Sequence, residues 1–315
     1  MDTRTEPTPC SDPTPPLPTS STRSPSPPSP TATRPRLPAW ARAVVPGVLF
    51  LPAASAGLIL MLVPGFASLM EGRGLTPILA FTVYAAVVLA AYVLISWALV
   101  RWVDRRPFRS LGLRPGRRAL VALLAGYGIA QVIALLVQGP AHVLGIGRSI
   151  PPEELAAQMA GVSLLTVVAV SLVRSFLLQG IGEEVLFRGY LLQTLRRRPV
   201  LAVLIAAVVF TIPHLASSGG QQDAVERLLY LAIPFGFAIS AGFLAIALRS
   251  VWAAVGIHGG FHLAMAVTML LELTADGPAV WLMFGLAHTV VGVVVAVLIP
   301  RRRWDEVREH GPYGS

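Results

Sequence analysis

The chain has 315 residues, 54% of them hydrophobic and only 13% charged, with a mean hydropathy of +0.67. These values exclude a soluble domain with one ordinary core and require a polytopic membrane protein. A formal charge of +9 does not imply a nucleic-acid partner, because the basic residues, all arginine, fall in the leader and between apolar runs rather than along one exposed face.

Residues 1–38 are dominated by Pro, Ser and Thr, a composition that cannot bury enough apolar surface to offset chain entropy, so a disordered tail is predicted there. It is not a cleavable signal peptide, since the first apolar stretch begins near Val44 and is long enough to remain as a spanning helix. The single cysteine, Cys10, has no partner for an intramolecular disulfide and is read as inert.

Crossing the hydrocarbon takes about 20 apolar residues. On that ruler the expected fold is all-α, an integral membrane protein of about eight transmembrane helices near 44–70, 75–100, 119–139, 163–195, 199–217, 228–248, 251–272 and 279–300. The fourth stretch is too long for a simple span and carries Arg174, which is expected to snorkel to the outer interface. Arginine clusters at 34–42, 101–118, 196–198 and 301–303 alternate with loops around Glu71, Glu153, Asp223 and Glu272 that are poorer in Arg and contain acids. By the inside-positive rule both termini are cytoplasmic.

Within these oily stretches lie Glu183, Glu184, Arg188, His214, His258 and His262, and ionisable groups at that depth are costly enough to need a reason. At about 1.5 Å per residue, Glu184 and His214 lie roughly 20 and 23 Å above the turn at Arg198, and His258 and His262 roughly 13 and 19 Å above the turn at Arg249. All four groups can therefore meet in mid-membrane. Glu184 and Arg188, four apart, share a helix face and can neutralise each other, which leaves Glu183, about 100° away, for chemistry. Phe210 walls one side while His214, four residues on, faces Glu183. His258 and His262 repeat the spacing, with Gly259 and Gly260 leaving room for a close approach. A buried carboxylate can serve as general base for a water, and imidazoles can donate to an oxyanion. His142, His288 and His310 fit no such pattern and are read as interface, core and tail residues.

Glu183-Glu184-Val-Leu-Phe-Arg188-Gly189, then Phe210-Thr-Ile-Pro-His214, then Ser250-Val-Trp252 leading into His258-Gly-Gly-Phe-His262, resemble the motifs of the CAAX-protease and bacteriocin-processing (CPBP) family of intramembrane peptidases, the Rce1-like group. The similarity spans roughly 163–270, and Leu111-Gly112-Leu113 looks like a shorter upstream signature of that family. The resemblance implies a helical membrane bundle that cleaves a membrane-associated, hydrophobic or lipidated CAAX-type peptide with a glutamate-activated water. It makes Glu183 the catalytic glutamate, His214 its partner in activating water and His258 an oxyanion donor, with His262 where the family usually has Asn or Asp. On this reading the chain divides into the tail at 1–38, N-terminal helices and an Arg-rich loop at 39–160, the peptidase core at 161–272, and the last span with a C-terminal tail at 273–315.

No cofactor is expected. The alternative is Zn2+ held by His214, His258, His262 and Glu183, since His258 and His262 have the spacing of helical zinc ligands. Two other functions compete: a non-enzymatic immunity or scaffold protein of the same family, and a proton-coupled transporter, for which the sequence shows no internal repeat. Arginine-only basic usage and Ala/Val-rich spans point to a GC-rich bacterial gene, hence to the plasma membrane of a bacterium and away from a prenylated substrate.

Overall fold

The computed structural model of the protein describes residues 34–72 and 74–314. The predicted disorder up to residue 33, and Cys10 with it, lies outside the described residues. From Arg34 onward the chain forms one compact unit. Among the described residues eight helices are long and apolar enough to cross a bilayer, the number read from the sequence. They are α1 Ala39–Leu62, α2 Thr76–Val103, α3 Arg117–Val143, α4 Leu164–Thr194, α5 Pro199–Ala216, α6 Ala224–Leu248, α7 Val251–Leu270 and α8 Pro278–Leu298. A further helix, α9, covers Arg301–His310. The protein is thus an all-helical integral membrane protein, and its environment is the lipid bilayer.

The largest departure in boundaries is α1, which starts at Ala39 and stops at Leu62 rather than running from 44 to 70. Pro64 forces Val63 out of the helical region, and Gly65 turns the chain at φ +81. In α4, 31 residues would make a regular helix of about 46 Å, well beyond the roughly 30 Å hydrocarbon. The helix instead takes wide π turns over Val173–Gly180 and Val185–Leu191, on either side of Ile181–Glu184. Such turns hold more residues per turn and recur at functional sites.

Small residues set the closest packing, as they do where lipid supplies no hydrophobic drive between helices. A Cβ added to Gly256 of α7 would lie 2.2 Å from the Leu123 carbonyl oxygen of α3, and one added to Gly126 2.2 Å from the Ala253 oxygen. Gly236 of α6 meets Gly285 of α8 in the same way, the added carbon falling 2.2 Å from the Gly285 oxygen. These contacts bring α6 and α7 into the centre, where nearly every side chain from Phe237 to Ile246 and from Val251 to Phe261 is buried. Around them Phe50, Tyr92, Phe187, Phe210 and Phe237 form an aromatic cluster.

Polar clamps close both ends of the bundle. On the arginine-rich face, buried Asp104 accepts from Arg42 at 3.0 Å, Arg106 at 2.6 Å and Thr194 at 2.8 Å, tying α1, α2 and α4 together. On the opposite face Arg148 and Asp276 exchange backbone hydrogen bonds of 2.7 and 2.8 Å, and Gln138 accepts from the Ala275 N–H at 2.8 Å. His142 reaches the Thr274 carbonyl at 3.1 Å and His288 is fully buried against Ser240 at 3.0 Å, so they are interface and core residues. His310 is exposed beside Glu309.

The expected C-terminal tail is structured and folds back. Buried Arg303 of α9 donates to the Ile246 carbonyl at 3.0 Å and to that of Pro312. Tyr313 then packs its ring on Gly112 and donates to the Arg188 carbonyl at 2.8 Å. Arg303 and Tyr313 hold this segment through tertiary bonds that no local pattern announces.

Gly256→Val is expected to lower stability by about 1–3 kcal/mol through overpacking, whereas Gly128→Ala, where an added Cβ meets nothing within 4 Å, should be neutral or slightly stabilising. Thermal unfolding of the detergent-solubilised variants checks this, and equal midpoints for the two would contradict it.

Candidate active site

Glu183 and Glu184 lie between the two π segments of α4, where the widened turns alter the phase at which successive side chains leave the helix. Glu184 is fully buried, and one of its oxygens is the hub of the site. Its Oε1 accepts from Arg188 Nη1 at 3.0 Å and from His258 Nδ1 at 2.9 Å. Arg188, 1% exposed, spends a second nitrogen on the Ala238 carbonyl at 3.1 Å. Its guanidinium also lies 5.0 Å from the centre of the Phe210 ring, a cation–π distance. The pair expected at Glu184 and Arg188 is therefore present, and through Ala238, Phe210 and His258 it joins α4 to α5, α6 and α7.

Glu183, 5% exposed, is bound differently. The nearest of the site's imidazoles is His258, whose Nε2 lies 3.9 Å from Glu183 Oε2, and that oxygen has no hydrogen-bond partner in the protein. One imidazole thus stands between the two carboxylates, bonded to Glu184 through one nitrogen and turned toward Glu183 through the other. Since a carboxylate oxygen accepts, the His258 proton on Nδ1 goes to Glu184, and Nε2 is the nitrogen that faces Glu183.

His214 makes no hydrogen bond or ion pair to Glu183. Its Nδ1 donates to the Phe210 carbonyl at 2.8 Å, which fixes the tautomer and leaves Nε2 as the acceptor in the neutral ring. The cause is local: the helix tightens into a 3-10 turn at Ile212–Ala216, which brings the ring back over its own chain. There it lies tilted against two rings, 4.6 Å from Phe210 and 5.3 Å from Phe50 between ring centres. Phe210 walls the site, lying 5.9 Å from His258. His262 sits 5.2 Å from His258, ring centre to ring centre, half-buried and with no hydrogen bond to either glutamate. Between the two histidines, Gly259 lets Phe176 come close, since a Cβ there would lie 2.4 Å from that ring.

Four contributors were not read from the sequence. Phe50 of α1 and Phe237 of α6 complete the aromatic wall, the latter 4.8 Å from His258. Tyr92 of α2 is fully buried, packs where a Cβ on Gly182 would stand and donates to the Phe50 carbonyl at 3.4 Å. Tyr313 holds the backbone at Arg188, and burial together with the nearby Glu184 pushes its phenol up, so it donates as a neutral hydroxyl. Nothing in a lone aromatic within an apolar run distinguishes these from ordinary core. Arg174, expected to snorkel away, is exposed yet near enough to His262 and Tyr230 to interact with both electrostatically.

The zinc alternative turns on the donor set itself. Among the described residues no three His, Cys, Asp or Glu side chains come together as metal ligands. His214 and His258 each bond another partner through Nδ1, and no step below runs through a metal.

Neither a search of curated proteins nor one of solved structures finds a match. A family model described as type II CAAX prenyl endopeptidase Rce1-like matches residues 164–264. That segment runs from the start of α4 to beyond His262 and holds every glutamate and histidine of the site, and over it the chain carries an Rce1-like domain of the CPBP family.

Proposed function

We propose that this protein is an intramembrane endopeptidase in which Glu183 activates a water molecule against a peptide bond of a hydrophobic or lipidated membrane-associated substrate. The observation that carries this reading is the contrast between the two neighbouring carboxylates. Glu184 bonds Arg188 and His258 through Oε1, leaving only its buried Oε2 without a partner, whereas Glu183 makes no hydrogen bond to any described residue and stands 3.9 Å from His258 Nε2. A carboxylate so placed, out of bulk water and without a hydrogen-bonded partner, is suited to take a proton.

In the proposed reaction Glu183 removes a proton from water as the oxygen attacks the scissile carbonyl carbon. A new C–O bond forms, and the carbonyl electrons move onto oxygen. Protonated His258, held by Glu184, donates from Nε2 to that oxyanion, the kind of preorganised donor that contributes most in acyl transfer. Glu183 then gives its proton to the departing amine nitrogen as the C–N bond breaks. His214, with Nε2 free to accept, helps hold the water, and His262 lies beside His258 as a second donor. Glu184, Arg188 and Phe210 keep the imidazole and the helix in place. The arginine distribution supports cytoplasmic termini in a bacterial plasma membrane.

In proteoliposomes, Glu183→Gln is expected to reduce cleavage of quenched-fluorescent peptides with hydrophobic C-termini by about 10²–10⁴-fold, the scale of a general base. Stability should stay near that of the parent. Cleavage at the parental rate would rule out the role given to Glu183 and favour a binding or scaffold protein.

Glu184→Ala should behave in the opposite way in a thermal melt. It leaves a buried guanidinium unpaired, a change that costs about 3–5 kcal/mol. A variant as stable as the parent would show that the pair is not structural.

Cleavage should also survive dialysis against a chelator. Stoichiometric zinc in the purified protein, lost together with activity, would replace the metal-free scheme.

A further inference from the structure

A second site lies outside the glutamate–histidine cluster, on the arginine-rich face. A cavity of about 280 Å³ opens between the α2–α3 connection, the end of α4, the α6–α7 turn and the C-terminal segment. Arg109, Arg114, Arg118 and Arg249 line it, and among the described residues no carboxylate does. Arg249 is ion-paired with Glu306 outside the lining, while Arg109, Arg114 and Arg118 have no acidic partner among the described residues.

Helix ends add to the positive field. Arg118 stands in the first turn of α3 and Ser250 caps α7, so the positive ends of two long helices meet at the same cavity, where cations are disfavoured and anions stabilised. An inside-positive bias explains why arginines occur on this face. It does not explain two buried polar groups in the lining that lack partners. Ser110 and Gln193 are each 3% exposed, and Ser110 Oγ and Gln193 Oε1 make no hydrogen bond in the protein. A hydroxyl rotates freely to donate, and an amide turned by 180° presents its nitrogen instead. Orphaned buried groups of this kind call for an explanation.

We propose that this cavity binds a phosphate anion, held by the forks of Arg109, Arg114 and Arg118 and by the Ser110 hydroxyl and Gln193 amide. Guanidinium forks match phosphate oxygens in pairs, and the cavity is close to the lower limit of small-ligand pockets, about 300 Å³. The ends of α4 and α6 place it at the level of lipid headgroups, where basic pockets between helices recognise anionic lipids. The phosphate is supplied either by such a headgroup or by a free phosphate compound. The site stands whether or not the protein is a peptidase.

Isothermal titration of the full chain in zwitterionic detergent separates the two sources. Dioctanoyl phosphatidylglycerol and inorganic phosphate are the probes, with dioctanoyl phosphatidylcholine as control. Saturable binding of the anionic lipid alone identifies a headgroup site, and binding of inorganic phosphate identifies the free anion. In either case affinity should weaken about fivefold per arginine removed, so about 25-fold in R114Q/R118Q, and should fall with added salt. Ser110→Ala, which leaves every charge in place, should also weaken binding and serves if the double variant does not fold. Failure of both probes to bind, binding equal to that of the phosphatidylcholine control, or binding unchanged in both variants overturns the proposal.

Discussion

The structure depends on one buried charge, the Arg188 guanidinium, and on what it takes to keep it in place. A cation in hydrocarbon is tolerated only when neutralised and hydrogen-bonded, and Arg188 meets that demand with contributions from α4, α5 and α6: the Glu184 carboxylate, the Phe210 ring and the Ala238 carbonyl. Glu184, having answered Arg188, orients His258 of α7 with the same oxygen. Four spans are thus locked in register by a network whose members cannot leave singly without stranding a charge. Glu183 is what this arrangement leaves over, a carboxylate in the same protected volume with which no arginine pairs.

The network requires close helices, and glycine provides them. The backbone of α7 rests against α3 at Gly126 and Gly256, and α6 rests against α8 at Gly236 and Gly285. With larger residues these helices would stand further apart and His258 would recede from Glu184. The π turns act along α4 in a complementary way. They shorten an otherwise overlong helix and let two consecutive glutamates address the two nitrogens of a single imidazole.

The arginine-rich face carries a separate electrostatic design. Asp104 gathers two arginines into a clamp, whereas Arg109, Arg114 and Arg118 surround a cavity that no carboxylate among the described residues lines. Tyr313 belongs to both regions: its ring lines the cavity, and its hydroxyl holds the Arg188 carbonyl. The C-terminal segment therefore braces the helix that bears the glutamates.

Eight apolar runs, the inside-positive asymmetry, the Glu184–Arg188 spacing and the three ordered motifs were legible in the sequence because each is a local property, set by composition or by helical period. The same locality explains what was missed. The pairing of His258 with both carboxylates, and the turning of His214 onto Phe210, follow from wide and tight helical turns that break the regular period and from the register between spans, neither of which a single segment encodes. Tyr92, Phe50 and the clasp by Arg303 and Tyr313 were invisible for the same reason, since an aromatic or an arginine acquires its role only from what lies across from it. The sequence by itself determined that charge would be buried and on which helices; the tertiary structure alone decided which groups neutralise one another, because that depends on distances between segments far apart in the chain.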